Sequence, residues 1–172
     1  MKTHKTDIPI DCIVRQYLPV DHIDAFACEV IGEKRLLVKE IMISFWTIMP
    51  DWVNTLFKLR NVLVRPFGLD TGEDDGRSEM LKEMIYAGNG SNGLMSVIDA
   101  ADNEIVVLLS DKHLDAYMSI LIEENENRQT VIVATLVRYH NRLGRIYFLL
   151  IAPFHKIIVK SMLKSTIQRM IK

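Results

Sequence analysis

The residues of this chain that could do chemistry gather in two stretches of its C-terminal half. Asp111, His113 and Asp115 are spaced i, i+2, i+4, and on an extended strand such residues project to one face. A carboxylate beside an imidazole orients the ring for general acid or base work on a carbonyl substrate, with a pKa near the operating pH. His113 with Asp115, or His140, would take that role. H-x-D with a distant His140 or His155 is also how a facial-triad iron site is written. That chemistry normally uses a larger double-sheet fold, so no metal and no cofactor is expected here. The string SDKH is itself short enough to be a turn, whose hydrogen bonds would then occupy Asp111 and His113.

The second stretch, residues 139–159, holds His140, Asn141, Arg142, Arg145, Tyr147 and His155. Asn141 or His140 can cap a helix, and Arg142 and Arg145 can pair with acids. Alternatively some of these side chains point into a cavity, where a buried imidazole or guanidinium would orient a polar head group. No Ser-His-Asp or Cys-His arrangement is readable from spacing.

Two further motifs lack the context their chemistry needs. Gly88, Gly90 and Gly93 spell G-x-G-x-x-G, but the next residues, LMSVID, read as a strand, so no helix N-terminus would receive a phosphate. The acidic stretch DTGEDDG lacks the EF-hand spacing from either Asp70 or Asp74 and reads as a solvated loop.

These residues need elements to carry them. Residues 8–18 are β-branched and loosely alternating, which predicts a first strand. Asp21 would then cap a short helical turn over 22–31 that stops at Gly32. Val38, Ile41, Met42, Phe45, Trp46 and Met49 form one helical stripe, and Pro50 suits the first turn of a second helix. The spacing thus predicts a helix pair, roughly 34–48 and 50–64, the second burying Trp52, Leu56, Leu59 and Leu63. After the loop come four period-two segments, 94–98, 104–110, 114–122 and 130–139, joined by short turns that only antiparallel pairing permits. In the last, Val131, Val133, Thr135, Val137 and Tyr139 alternate with Ile132, Ala134 and Leu136, so both faces should be covered. Residues 80–87 fit helix or strand. From Asn141 a helical period returns, with Leu143, Tyr147, Leu150, Phe154, Ile157 or Ile158, and Met162 on the expected buried stripe, bent at Pro153.

This order predicts a cytoplasmic, single-domain α+β protein over residues 1–172. Its architecture would be a helix-grip, a curved antiparallel sheet wrapped on a long C-terminal helix. The composition agrees: 172 residues with 49% apolar and 25% charged can bury a full core. Cys12 and Cys28 match no zinc spacing, and MKTHKTDIPIDC has no apolar signal core. Unbroken apolar runs are too short for a transmembrane segment. A net charge of −1 gives no general pull toward nucleic acid. The charge is uneven, however, since residues 138–172 hold eight Lys or Arg and no Asp or Glu. Lys156, Lys160 and Lys164 could dock the last helix on anionic lipid, or simply complement its dipole and the acidic turns.

In chain order the strings P-x-W-V (50–53), L-R-N (59–61), F-G-L (67–69), D-K-H-L-D (111–115), H-N-x-L-G-R-x-Y-F (140–148) and P-F-H-x-x-I-V (153–159) form a recognisable set. Over residues 10–165 the chain resembles the bacterial family known as domain of unknown function 2867. The resemblance implies a layout similar to the START or Bet v 1-like helix-grip superfamily and brings no activity. Some relatives carry the domain behind an NAD(P)-binding short-chain dehydrogenase domain, which implies an NAD(P)-dependent dehydrogenase as a partner.

The leading functional expectation is noncatalytic binding of a small apolar or amphipathic molecule between sheet and helix. Arg60, Asn61, His113, Asp115, His140, Arg145, Tyr147 and His155 are the expected contacts, with Asn61 meeting His140 and Asn141 at the sheet edge. The rivals are the acid–base enzyme above and a protein interaction module, which would present a large exposed apolar patch.

Overall fold

A computed structural model describes residues 2–32, 34–48, 50–53, 55, 77–93 and 95–171. In chain order these form β1 (Thr3–Lys5), a 3₁₀ helix (Ile13–Tyr17), β2 (His22–Ile31), α1 (Val38–Thr47), α2 (Arg77–Ala87), β3 (Gly90–Ser91), β4 (Met95–Ala100), β5 (Glu104–Ser110), β6 (Leu114–Asn125), β7 (Arg128–Tyr139) and α3 (Arg142–Met170). The strands make one antiparallel sheet in the order β1-β2-β7-β6-β5-β4-β3. The fold is α+β, with the expected meander from β4 to β7 and the long C-terminal helix. Residues 80–87, whose pattern suits either element, are helical. Gly90 and Ser91 pair with β4 in a short hairpin, so the glycine motif precedes a strand and not a phosphate-binding helix.

Residues 8–31 reverse the expectation. Residues 8–18 are not a strand, and 22–31 are not a helical turn but β2, paired residue for residue with β7 from His22↔Val137 to Ile31↔Arg128. Asp21 caps nothing helical; its carboxylate accepts from the Tyr139 backbone N–H at 2.7 Å and locks the end of that ladder. The 3₁₀ helix owes its shape to a partner far along the chain. The buried Glu104 carboxylate accepts from the N–H groups of Ile13 at 2.5 Å and Val14 at 3.1 Å, and from Ser119 Oγ at 2.5 Å. Those N–H groups are therefore unavailable to a ladder, and tertiary context overrides β propensity.

Both faces of β7 are buried, as its composition requires. Val131 and Val133 lie in the main core with Phe26, Ile41, Phe45, Ile105, Leu163 and Ile167. Ile132, Ala134 and Leu136 lie on the other face, covered by Cys12, Val14, Tyr17 and their neighbours, with Tyr17 stacked on Tyr117 at 4.6 Å. Cys12 and Cys28 are free, buried and in different clusters; desolvation raises both thiol pKa values, which makes them poor nucleophiles.

On α1 the stripe Val38, Ile41, Met42 and Phe45 is buried, as expected. Of the second member of the helix pair, only residues 51–53 and 55 are described; they are helical. Trp52 is exposed rather than buried, and Leu56, Leu59, Leu63 and the acidic loop lie outside the described residues.

Asn141 caps α3, its side-chain oxygen accepting from Gly144 N at 3.0 Å. Pro153 lies within the helix. The buried stripe is Gly144, Tyr147, Phe148, Val159, Met162, Leu163, Thr166 and Ile167. Leu150, Phe154 and Ile157, expected to face the core, are exposed. The close seat of Gly144 against the His113 carbonyl sets the rotation of the helix and turns those three outward. By length and composition α3 could cross a membrane, although no unbroken apolar run of that length is present; its inner face is nevertheless built into the core of the sheet.

Candidate functional site

Alternation along β2 puts His22, Asp24 and Phe26 on the face that looks toward α3. Asp24 is 3% exposed, an unusual position for a carboxylate. His22 Nε2 lies 3.0 Å from its Oδ2. From α3, His155 Nε2 approaches Oδ1 to 3.7 Å, close enough for charge attraction and too far for a hydrogen bond. Thr135 is the register partner of Asp24 on β7 and is buried on the same face. Three buried atoms here lack a hydrogen-bond partner: Asp24 Oδ1, Thr135 Oγ1 and His155 Nε2. The Phe148 ring walls the group, 4.8 Å from the His22 ring, 6.0 Å from His155 and 5.9 Å from Tyr139.

Burial pushes the Asp24 carboxyl pKa up, but the imidazoles of His155 and then His22 outweigh it, and the net position is below the ordinary value. The ionised carboxylate is an acceptor, and Oδ1 has acceptor capacity to spare. By its chemistry Asp24 Oδ1 could accept from a hydroxyl or amine, and Thr135 Oγ1 and His155 Nε2 are further buried atoms with unused hydrogen-bonding capacity.

A second polar group sits where β7 hands over to α3. Asp111 Oδ1 accepts from the N–H groups of His113 at 2.6 Å and Leu114 at 3.0 Å, so SDKH is a hydrogen-bonded turn. Asp115 Oδ2 pairs with His140 Nε2 at 3.0 Å, while Ser110 Oγ donates to Oδ1 at 2.6 Å. Serine and histidine thus both bind the carboxylate, which is not the relay of a hydrolytic triad. The Asp115 hydrogen bond raises the His140 pKa; desolvation opposes it, and the charges of Asp115 and Asp111 add to the rise. His113 Nδ1 lies 3.2 Å from Asn141 Nδ2, and the His140 N–H donates to the His113 carbonyl.

The sequence-derived residues therefore divide. His113, Asp115 and His140 come together with Asn141. His155 belongs to the Asp24 group instead. Tyr147 is buried in a small cluster with Leu114, Val137 and Phe148, and Arg145 is exposed. Arg60 and Asn61, with the expected meeting of Asn61 and His140, lie outside the described residues. Sequence reasoning missed His22, Asp24 and Thr135. A signal existed: read with period two, His22, Asp24, Phe26, Cys28 and Val30 share a face that is apolar except at its start.

Among the described residues no three His, Cys, Asp or Glu are grouped to hold a metal ion. Two clefts among them, lined by Ile31 with Asn125–Arg128 and by Asp102, Asn103 and Ile122–Asn125, lie toward the β6–β7 hairpin and reach neither histidine group.

No curated protein and no solved structure matches the chain. The profile of the family described as "Protein of unknown function (DUF2867)" matches residues 17–162, a span that includes β2, the whole meander and α3 as far as Met162. It takes in both histidine groups. The chain belongs to the DUF2867 family.

Proposed function

We propose that this protein binds, without converting it, a small amphipathic molecule whose polar head lodges against Asp24, His22 and His155 beneath α3. The observation that carries this is the burial of Asp24 Oδ1, Thr135 Oγ1 and His155 Nε2 in one group with no hydrogen-bond partner for any of them, the only polar contact among them being the long 3.7 Å ion pair of His155 with Asp24. Each such atom costs about 1–3 kcal/mol, and native proteins keep few of them. A ligand with a hydroxyl or amine would recover those hydrogen bonds, and Phe148, Tyr139 and Val137 would meet its apolar part. In this reading the arrangement is a helix-grip of the START or Bet v 1-like kind, with ligand held between sheet and helix.

Thermal-shift screening with fatty acids, polyketides, sterols and hemes tests it, with native mass spectrometry of the purified chain for a retained ligand. A ligand at one hundred times its dissociation constant adds about 2.7 kcal/mol of stability. The gain should vanish in Asp24→Ala. No shift from any class and no retained ligand would remove the proposal.

The Asp115–His140 pair favours a second reading, general acid–base catalysis on a carbonyl compound at the neighbouring group. Its test is turnover lost in His140→Gln with ligand stabilisation unchanged.

A further inference from the structure

The outer face of α3 carries an apolar stripe that the packed sheet does not use. Ile146, Leu149, Leu150, Phe154 and Ile157 are spaced i, i+3, i+4, i+8 and i+11, and each is between 49% and 73% exposed. They run along roughly 17 Å of helix. Singly exposed apolar residues need no explanation, whereas a continuous helical stripe of five does.

The surroundings of the stripe say what covers it. Arg142 and Arg145 are exposed at its N-terminal end, and Lys156 and Lys164 are exposed at and beyond its C-terminal end. Lys160, between them, leans over the Phe26 ring at 5.0 Å and is committed to the protein. From Arg138 to Lys172 there is no Asp or Glu to neutralise this frame.

We propose that this face docks on an anionic membrane surface, with the helix lying along the interface. The apolar side chains would enter the headgroup boundary while the flanking cations pair with lipid phosphates, the pattern of interfacial amphipathic helices. A second copy fits worse. Pairing this face with itself sets the cations of one helix against those of the other, with no acid in the segment to offset them. Crossing the bilayer fits worse too, because Phe148, Val159, Leu163 and Ile167 would have to leave the protein core. The inference stands apart from the ligand reading, since its residues face away from Asp24.

Flotation of the full chain with vesicles of phosphatidylcholine alone, or of phosphatidylcholine mixed with phosphatidylglycerol, tests it. The chain should float with the mixed vesicles, weakly or not at all with the neutral ones, and binding should fall as salt shortens the Debye length. Leu150→Glu and Phe154→Glu should each lower binding about tenfold or more. The double change Arg142→Glu with Lys156→Glu should abolish the preference for anionic lipid. All these side chains are exposed, so denaturant midpoints should stay at the wild-type value, which separates lost docking from lost folding. Equal binding to both vesicle types, or wild-type binding by Leu150→Glu, overturns the proposal. So does failure to bind any vesicle, including the case of a dimer in sedimentation that Phe154→Glu converts to monomer.

Discussion

Gly144 sits hard against the backbone of His113: a Cβ built on it would lie 2.1 Å from the His113 carbonyl oxygen and 2.8 Å from the carbonyl carbon. The first turn of α3 is thereby pressed onto the β5–β6 turn, where Asn141 also donates to the Lys112 carbonyl. No side chain fits, and the opposing atoms are backbone. Gly144→Ala should destabilise the protein by at least ~1–3 kcal/mol despite the better helix propensity of alanine, read as a lowered denaturant midpoint at unchanged slope.

Asp24 should leave a signature in acid. Its pKa is lowered in the folded state, so its contribution is fully present above the unfolded carboxylate value near ~3.9 and is lost as pH falls through the folded value. The stability difference between wild type and Asp24→Asn should therefore be steady near pH ~6 and close progressively below about pH 4. A difference that grows on acidification would contradict the assignment.

His140 should behave in the opposite sense. Its pKa is raised, chiefly by the Asp115 hydrogen bond, so its contribution is complete below the unfolded value near ~6.5 and fades as pH rises through the folded value. The pair is partly solvated, with side-chain exposures of 35% and 18%, so its size is modest, about 0.2–1 kcal/mol. Titration of the His140 ring by NMR should show a raised midpoint that Asp115→Asn returns toward the ordinary value.

Glu104 ties the N-terminal layer to the sheet. Glu104→Gln keeps one acceptor oxygen and replaces the other with an amide donor, so the N–H of Ile13 or of Val14, which sit on different carboxylate oxygens, loses its acceptor, which should cost about 1–3 kcal/mol. Limited proteolysis should then cut within residues 8–20 well before the meander.

What the sequence determined by itself was the local order. The meander is legible because its strands alternate and its turns are too short for any crossover, and α3 because a helical period resumes at a residue suited to cap it. Both depend on neighbours in the chain. Residues 8–31 were not legible, since 8–18 and 22–31 are both apolar and β-branched enough to be strands. Their choice rests on Glu104, some ninety residues away, and on the free edge of β7. The rotation of α3 was likewise undetermined: its sequence offers apolar residues on more than one side, and the contact of Gly144 with His113 selects which side is buried. That selection decides the chemistry. It turns His155 inward to Asp24 and Phe154 outward to solvent, although the two are adjacent in sequence, because periodicity specifies which residues share a face and only packing against the sheet specifies which face is inside.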